Sequence, residues 1–154
     1  MAPTPSVRLR ELGLTLPPPP KPVGAYSPVV VHGDQAWVSG QVVLRDGVAV
    51  SAGLVGRDVT VEAAKAVARS AALQALSALS ASLGSIDRIQ RVVRVAVYIA
   101  TAEGFTRHAD VGNGATELLI ELFGDHGRPA RVSVGVASLP LNAPVELELL
   151  VATG

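Results

Sequence analysis

Cysteine is absent from this chain of 154 residues. Disulfide bridges, thiolate catalysis and Cys-ligated zinc are therefore excluded. Aromatic residues are scarce, 3% against 49% hydrophobic residues in all, so the core must be built from Ala, Val and Leu. Net charge is also lacking, since Lys+Arg and Asp+Glu each total 13. A balanced chain has no overall basic field to draw it to nucleic acid. No apolar run approaches the ~20 residues of a membrane helix. The N-terminal MAPTPSVRLRELGL lacks the long apolar core of a signal peptide. These absences fit a cytoplasmic protein. His32, His108 and His126 are scattered without metal-ligand spacing. No P-loop, G-x-S-x-G or dinucleotide fingerprint occurs.

What is present is an ordered set of short elements. Residues 1–22 read as a leader, with a short helix in VRLRELGLTL and an extended PPPPKP that acts as a surface spacer. Residues 23–154 read as one domain. SPVVVHGDQAWVSGQVVL predicts two strands joined at His32-Gly33-Asp34. Asp46-Gly47 marks a second turn, with an extended segment to about Ser51. Residues 60–83 form the clearest helix, capped by Thr60 or Asp58, ended by Gly84, and facing the core through Leu73, Leu76, Leu79 and Leu83. A strand follows over 86–101. Its alternation puts Val93, Val95, Val97 and Ile99 on one face, and Val92, Arg94, Ala96 and Tyr98 on the other. A second helix has its firm part at 114–123, because Gly112 and Gly114 weaken its first turn. Strands at about 130–138 and 145–152 close the chain. The order β-β-β-α-β-α-β-β predicts an α+β fold with a mixed sheet and both helices on one face. The other face is too apolar for water, and a symmetric partner is the simplest cover for it.

The last two strands carry the charged residues of interest. In PARVSVGVA, Val132, Val134 and Val136 point one way, while Arg131, Ser133, Gly135 and Ala137 point the other. A guanidinium is a planar fork of donors that suits a carboxylate or phosphate, and small neighbours leave room for one. From pattern alone a surface ion pair or an edge-strand charge is the simpler explanation of Arg131, since strand arginines are commonplace. In VELELLVA, Glu146 and Glu148 share a face. Either is an acid/base if burial tunes it, or both line a solvated edge. In a direct hairpin Arg131 and Glu146 would lie at opposite ends. A shared site therefore requires an intervening strand or a second subunit.

The ordered set GAYSP (24–28), WVSGQ (37–41), an Ala-rich helix, RVVRVAVYI, PARVSVGVASLP and VELE resembles the Rid family of reactive-intermediate deaminases, also called YjgF-like or L-PSP proteins. The resemblance runs from about residue 23 to the end and includes features of a longer subgroup. It implies a chorismate-mutase-like fold and a homotrimer whose sheets pack into a central barrel, with clefts between subunits. It implies hydrolysis of a 2-imino acid or its enamine tautomer to a 2-keto acid and ammonia, with no metal or cofactor. Arg131 would anchor the substrate carboxylate and Glu146 would position water. Tyr26, Ser39 and Gly40 would line the cleft, with Asn113 matching a helix-borne family asparagine. Many family deaminases carry Ser then Cys after the arginine. Here Val132 and Ser133 stand there, which implies an altered pocket with Ser133 still able to hydrogen-bond. A non-catalytic trimer binding a small keto or amino acid is the competing reading. RNA cleavage, a label the family often inherits, fits the neutral charge poorly.

Overall fold

The computed structural model describes residues 1–154. A short helix, α1 (Pro5–Glu11), leads into the proline run. A hairpin of β1 (Val29–His32) and β2 (Gln35–Val42) turns at Gly33-Asp34. Next comes a separate ribbon, β3 (Leu44–Arg45) with β4 (Val48–Ala49), whose turn places Asp46 and Gly47 at φ 54° and 78°. The extended segment expected before Ser51 therefore belongs to this ribbon and not to the main sheet. The chain continues through α2 (Val61–Leu83), β5 (Ile89–Ala100), α3 (His108–Phe123), β6 (Ala130–Val136) and β7 (Val145–Thr153). The main sheet runs β1-β2-β7-β5-β6. Only β5 and β6 are parallel, joined through α3, so the sheet is mixed as expected. No helix is long and apolar enough to cross a membrane.

The long helix is bounded by its own residues. Thr60 accepts a hydrogen bond from the Ala63 amide through its side chain, and Gly84 closes the helix at φ 89°. Its buried stripe is chiefly alanine: Ala64, Ala68, Ala71, Ala72 and Ala75 are fully enclosed. Leu76 and Leu79 join them, but Leu73 and Leu83 are only partly buried, so the leucine face is narrower than its spacing suggests. Small residues let α2 approach both the sheet and α3 closely.

Three local readings are refined. First, α3 is regular helix from His108, so the glycine-bearing first turns are as much part of it as residues 114–123. Its two glycines do not break it; they admit neighbours. A Cβ on Gly114 would collide with the Lys65 carbonyl of α2, and one on Gly112 with the Ser133 hydroxyl of β6. Second, β5 carries a register shift between Val92 and Arg94. The extra residue reverses the alternation, so Val92 joins Val95, Val97 and Ile99 in the core while Val93 sits at the bulge. Third, of the arrangements open for β6 and β7, the structure has the one with an intervening strand and no hairpin. The chain crosses between them and β5 lies in the gap.

The N-terminal segment is pinned at several points. Leu9 of α1 is buried, and the Ser6 amide and hydroxyl both donate to the Asp87 carboxylate. Further on, the Ser77 hydroxyl of α2 donates to the Pro17 carbonyl. Both helices that follow cover one face of the sheet. The other face exposes Val30, Trp37 and Val134, an apolar surface of the kind read from the sequence.

Candidate functional site

The sheet's register determines where the two charged candidates point. Arg131 is level with Val95, and Val95 is buried beneath the helices. Registered partners share a face, so Arg131 and Ser133 lie on the helix side. Glu146 is level with Tyr98, which alternates to the open side. The two residues thus occupy opposite faces of one sheet. Two strand spacings and three residues separate them, roughly 14 Å between backbones.

Around Arg131 the edge strand β6 meets the first turns of α3. Arg131 Nη1 donates to Asn113 Oδ1 at 2.7 Å and to Thr116 Oγ1 at 3.2 Å. Asn113 and Thr116 are three apart and share a helix face. Nε and Nη2 make no hydrogen bond within the chain, and Arg131 has no acidic partner. In contrast, Arg8, Arg57, Arg69, Arg94 and Arg107 each pair with a carboxylate. The ion-pair explanation of Arg131 therefore finds no partner within the protomer. Beside it the Ser133 hydroxyl is buried without a hydrogen-bond partner. The result is an oriented cation with free donors next to an unpaired hydroxyl, which suits an anionic oxygen.

Glu146 lies in a second half-site. Beyond Val38 the strand β2 bulges before Gln41, and β1 no longer borders it. Gly40 sits in the bulge against Glu146, where a Cβ would lie 3.1 Å from the Glu146 carboxyl carbon and press into its oxygen. The cleft that opens here has a volume of about 910 Å³ and is lined by Tyr26, Ser39, Gly40, Gln41 and Glu146 among others. The Ser39 hydroxyl is engaged with the Ser27 carbonyl at 2.6 Å, so Ser39 ties the Tyr26 loop to β2. Gln41 Nε2 donates to the Ser39 carbonyl, and Gln74 Nε2 donates to Gln41 Oε1, both at 2.9 Å.

The paired glutamates have different surroundings. Glu148 accepts from Arg94 Nη1 at 3.1 Å and from the Tyr98 hydroxyl at 2.9 Å. The hydrogen bond to Glu148, followed by burial, raises the Tyr98 phenol above its ordinary value. Glu146 has neither an ion pair nor a hydrogen bond. Burial, and then the charge of Glu148, pushes its carboxyl above the usual glutamate value. Glu146 is therefore the member of the pair left free of partners with its carboxyl pKa raised, while Glu148 is engaged by Arg94 and Tyr98.

A family model described as YjgF/chorismate mutase-like, putative endoribonuclease, matches residues 6–152. The chain belongs to this family. A YjgF-family match that starts inside α1 takes in the proline run, earlier than residue 23 where the sequence motifs begin. The Trypanosoma cruzi protein TCP17 is 40% identical over 147 residues, spanning 95% of this chain and 92% of its own. A Shewanella oneidensis structure with the same endoribonuclease label aligns at TM-score 0.92 and 32% identity, covering 97% of this chain and 99% of that one. RidA from an Antarctic Psychrobacter aligns at TM-score 0.58 and 26% identity, covering 87% and 93%. The fold is the chorismate-mutase-like α+β fold of this YjgF family.

Of the residues named from sequence, Arg131, Asn113 and Ser133 come together in one place, and Tyr26, Ser39, Gly40 and Glu146 in the other. Gln41 was read only as part of the WVSGQ motif, without a site role, and Thr116 and Gln74 were not singled out. Thr116 was accessible through its three-residue spacing from Asn113. Gln74 had no comparable signal, because its link to Gln41 joins α2 to β2.

Proposed function

We propose that this YjgF-family protein hydrolyses 2-imino acids and their enamine tautomers to 2-keto acids and ammonia. The observation that carries the reading is the Arg131 guanidinium, oriented by Asn113 and Thr116 and left without an acidic partner. Its free edge holds the substrate carboxylate. Because Glu146 faces the other side of the sheet, the site is completed across an interface. Arg131 of one subunit meets Glu146, Tyr26 and Gly40 of the next in a homotrimer. Such packing also covers the apolar face bearing Trp37.

The chemistry asks little of the protein. An imine carbon is already electrophilic, so fixing the carboxylate and ordering a water accounts for much of the barrier. Glu146 accepts a proton as the water oxygen bonds to C2 of the protonated imine, leaving a neutral carbinolamine. It returns that proton to the amine nitrogen, then takes the hydroxyl proton as the C–N bond breaks, so that ammonia leaves and the carbonyl forms. A carboxyl raised by burial suits these steps.

The test is semicarbazone trapping of freshly generated 2-iminopropanoate, with wild type, Arg131→Ala and no protein compared. Faster imine loss with wild type alone supports the reading. Loss at the blank rate with wild type counts against it. RNA cleavage is the weaker alternative for a chain of zero formal charge, and strongly salt-dependent cleavage would speak for it.

A further inference from the structure

In the single protomer, the Glu146 half of the cleft is larger and more apolar than a three-carbon imino acid needs. Its volume of about 910 Å³ lies near the top of the roughly 300–1,000 Å³ range of small-molecule sites. Beyond Glu146 and Gly40, its lining includes Pro20, Pro22, Val23, Leu44 and Leu141, with Lys21 between the two prolines as the one cation.

This lining is held in place by its surroundings. The segment carrying Pro20, Pro22 and Val23 is fixed upstream, where Ser77 bonds the Pro17 carbonyl. It is fixed downstream where Ser39 binds the Ser27 and Pro28 carbonyls, through its hydroxyl and its amide. Between these points Pro18, Pro19, Pro20 and Pro22 have no amide hydrogens and restricted backbones, which stiffens that part of the strap, and Lys21 is its one charged residue. Across the cleft, Leu141 sits in the left-handed region at φ 58° with its side chain 60% exposed. Leucine rarely adopts that conformation. The Asn142 carbonyl accepts from the Gly53 amide and braces the turn. Val23 is 89% exposed. Leu141 and Val23 share the cleft with the prolines and with Glu146, an apolar surface that has no partner inside the chain.

We propose that the wall of Pro20, Pro22, Val23, Leu44 and Leu141 is the subsite for the substrate's side chain. The preferred substrate is then a 2-imino acid with a branched aliphatic or aromatic side chain. This deepens the deaminase reading and rests on it. The proline strap becomes a determinant of specificity.

Two measurements separate the subsite from the catalysis. Imines generated by an L-amino acid oxidase from leucine, phenylalanine and alanine are compared by kcat/KM in the trapping assay. In parallel, binding of 4-methyl-2-oxopentanoate and of pyruvate is measured by calorimetry. The variants are Leu141→Asp and Val23→Asp, both at exposed positions where the fold tolerates a charge. The large imines should be preferred over the small one by about tenfold or more, as a few buried methylenes allow. The larger keto acid should bind more tightly by a similar factor, and each variant should collapse the preference. Equal handling of large and small ligands, or a preference that survives both variants, overturns the subsite. If no imine is consumed but keto-acid binding keeps the size preference and its sensitivity to Leu141→Asp, the subsite stands and the deaminase reading falls.

Discussion

Arg131 and Glu146 stand on opposite faces of the same sheet, with β5 between the strands that carry them. Neither long side chain can reach around the sheet to the other. Any chemistry that uses both is therefore chemistry between subunits, and each half-site can be tested separately.

Arg131 is the anchor in this account. Arg131→Ala should lower kcat/KM by about 100-fold, the scale expected when one partner of a charge pair is removed. Its exposure and lack of an ion pair mean the thermal midpoint should shift by no more than about 2–4 °C. Steady-state kinetics with a thermal melt checks both. A large loss of stability would recast Arg131 as structural.

Asn113 orients that anchor without carrying charge. Asn113→Asp keeps an acceptor for Arg131 Nη1 but adds a carboxylate that competes with the substrate's. It should raise KM by about tenfold or more while changing kcat less. Asn113→Ala should do less harm than the aspartate. The reverse order would remove the orienting role.

Glu146 gives a pH signature in two readouts. If its carboxylate takes the proton from water, kcat/KM falls as pH drops through its raised pKa. The acid limb should then lie above the ordinary glutamate value and vanish in Glu146→Gln. Glu148→Gln removes the neighbouring negative charge, so the limb should move to lower pH. Stability has its own sign. A carboxyl whose folded pKa is raised favours the fold fully below its unfolded value and loses that contribution as pH rises through the folded one. Glu146→Gln should therefore melt above wild type at pH 8, with the gap closing toward pH 4. Thermal melts across pH check this.

Gly114 tests the packing of α3 against α2. A Cβ there would lie 2.8 Å from the Lys65 carbonyl carbon and would strike its oxygen, both backbone atoms that cannot rotate away. Gly114→Ala should destabilise by about 1–3 kcal/mol, measured by denaturant unfolding. An unchanged midpoint would mean the two helices separate at little cost.

Much of this was legible in local sequence because local rules governed it. The ends of α2 follow from Thr60 and Gly84, and the turns from Gly33-Asp34 and Asp46-Gly47. The alternation of β6 and β7 placed Arg131 against the valine row and Glu146 beside Glu148. What escaped depends on distant neighbours. Gly112 and Gly114 weaken a helix by propensity, yet here they admit Ser133 and Lys65, and α3 runs unbroken through both. The bulge in β5 reverses the side on which Val92 lies, and no residue in IDRIQRVVRV announces it. Gly40 looked like part of a cleft wall, and the bulge that presses it toward Glu146 is visible only once β7 is paired with β2. The opposite facing of Arg131 and Glu146 likewise required the strand order.

The most direct test of the account is subunit complementation. Arg131→Ala and Glu146→Gln chains, each nearly inactive alone, are unfolded together in equal amounts and refolded. If the site is shared across a closed trimer, every mixed trimer holds one intact site. Imine hydrolysis should then return to about a quarter of the wild-type rate. A refolded mixture no more active than its parents would contradict the shared site.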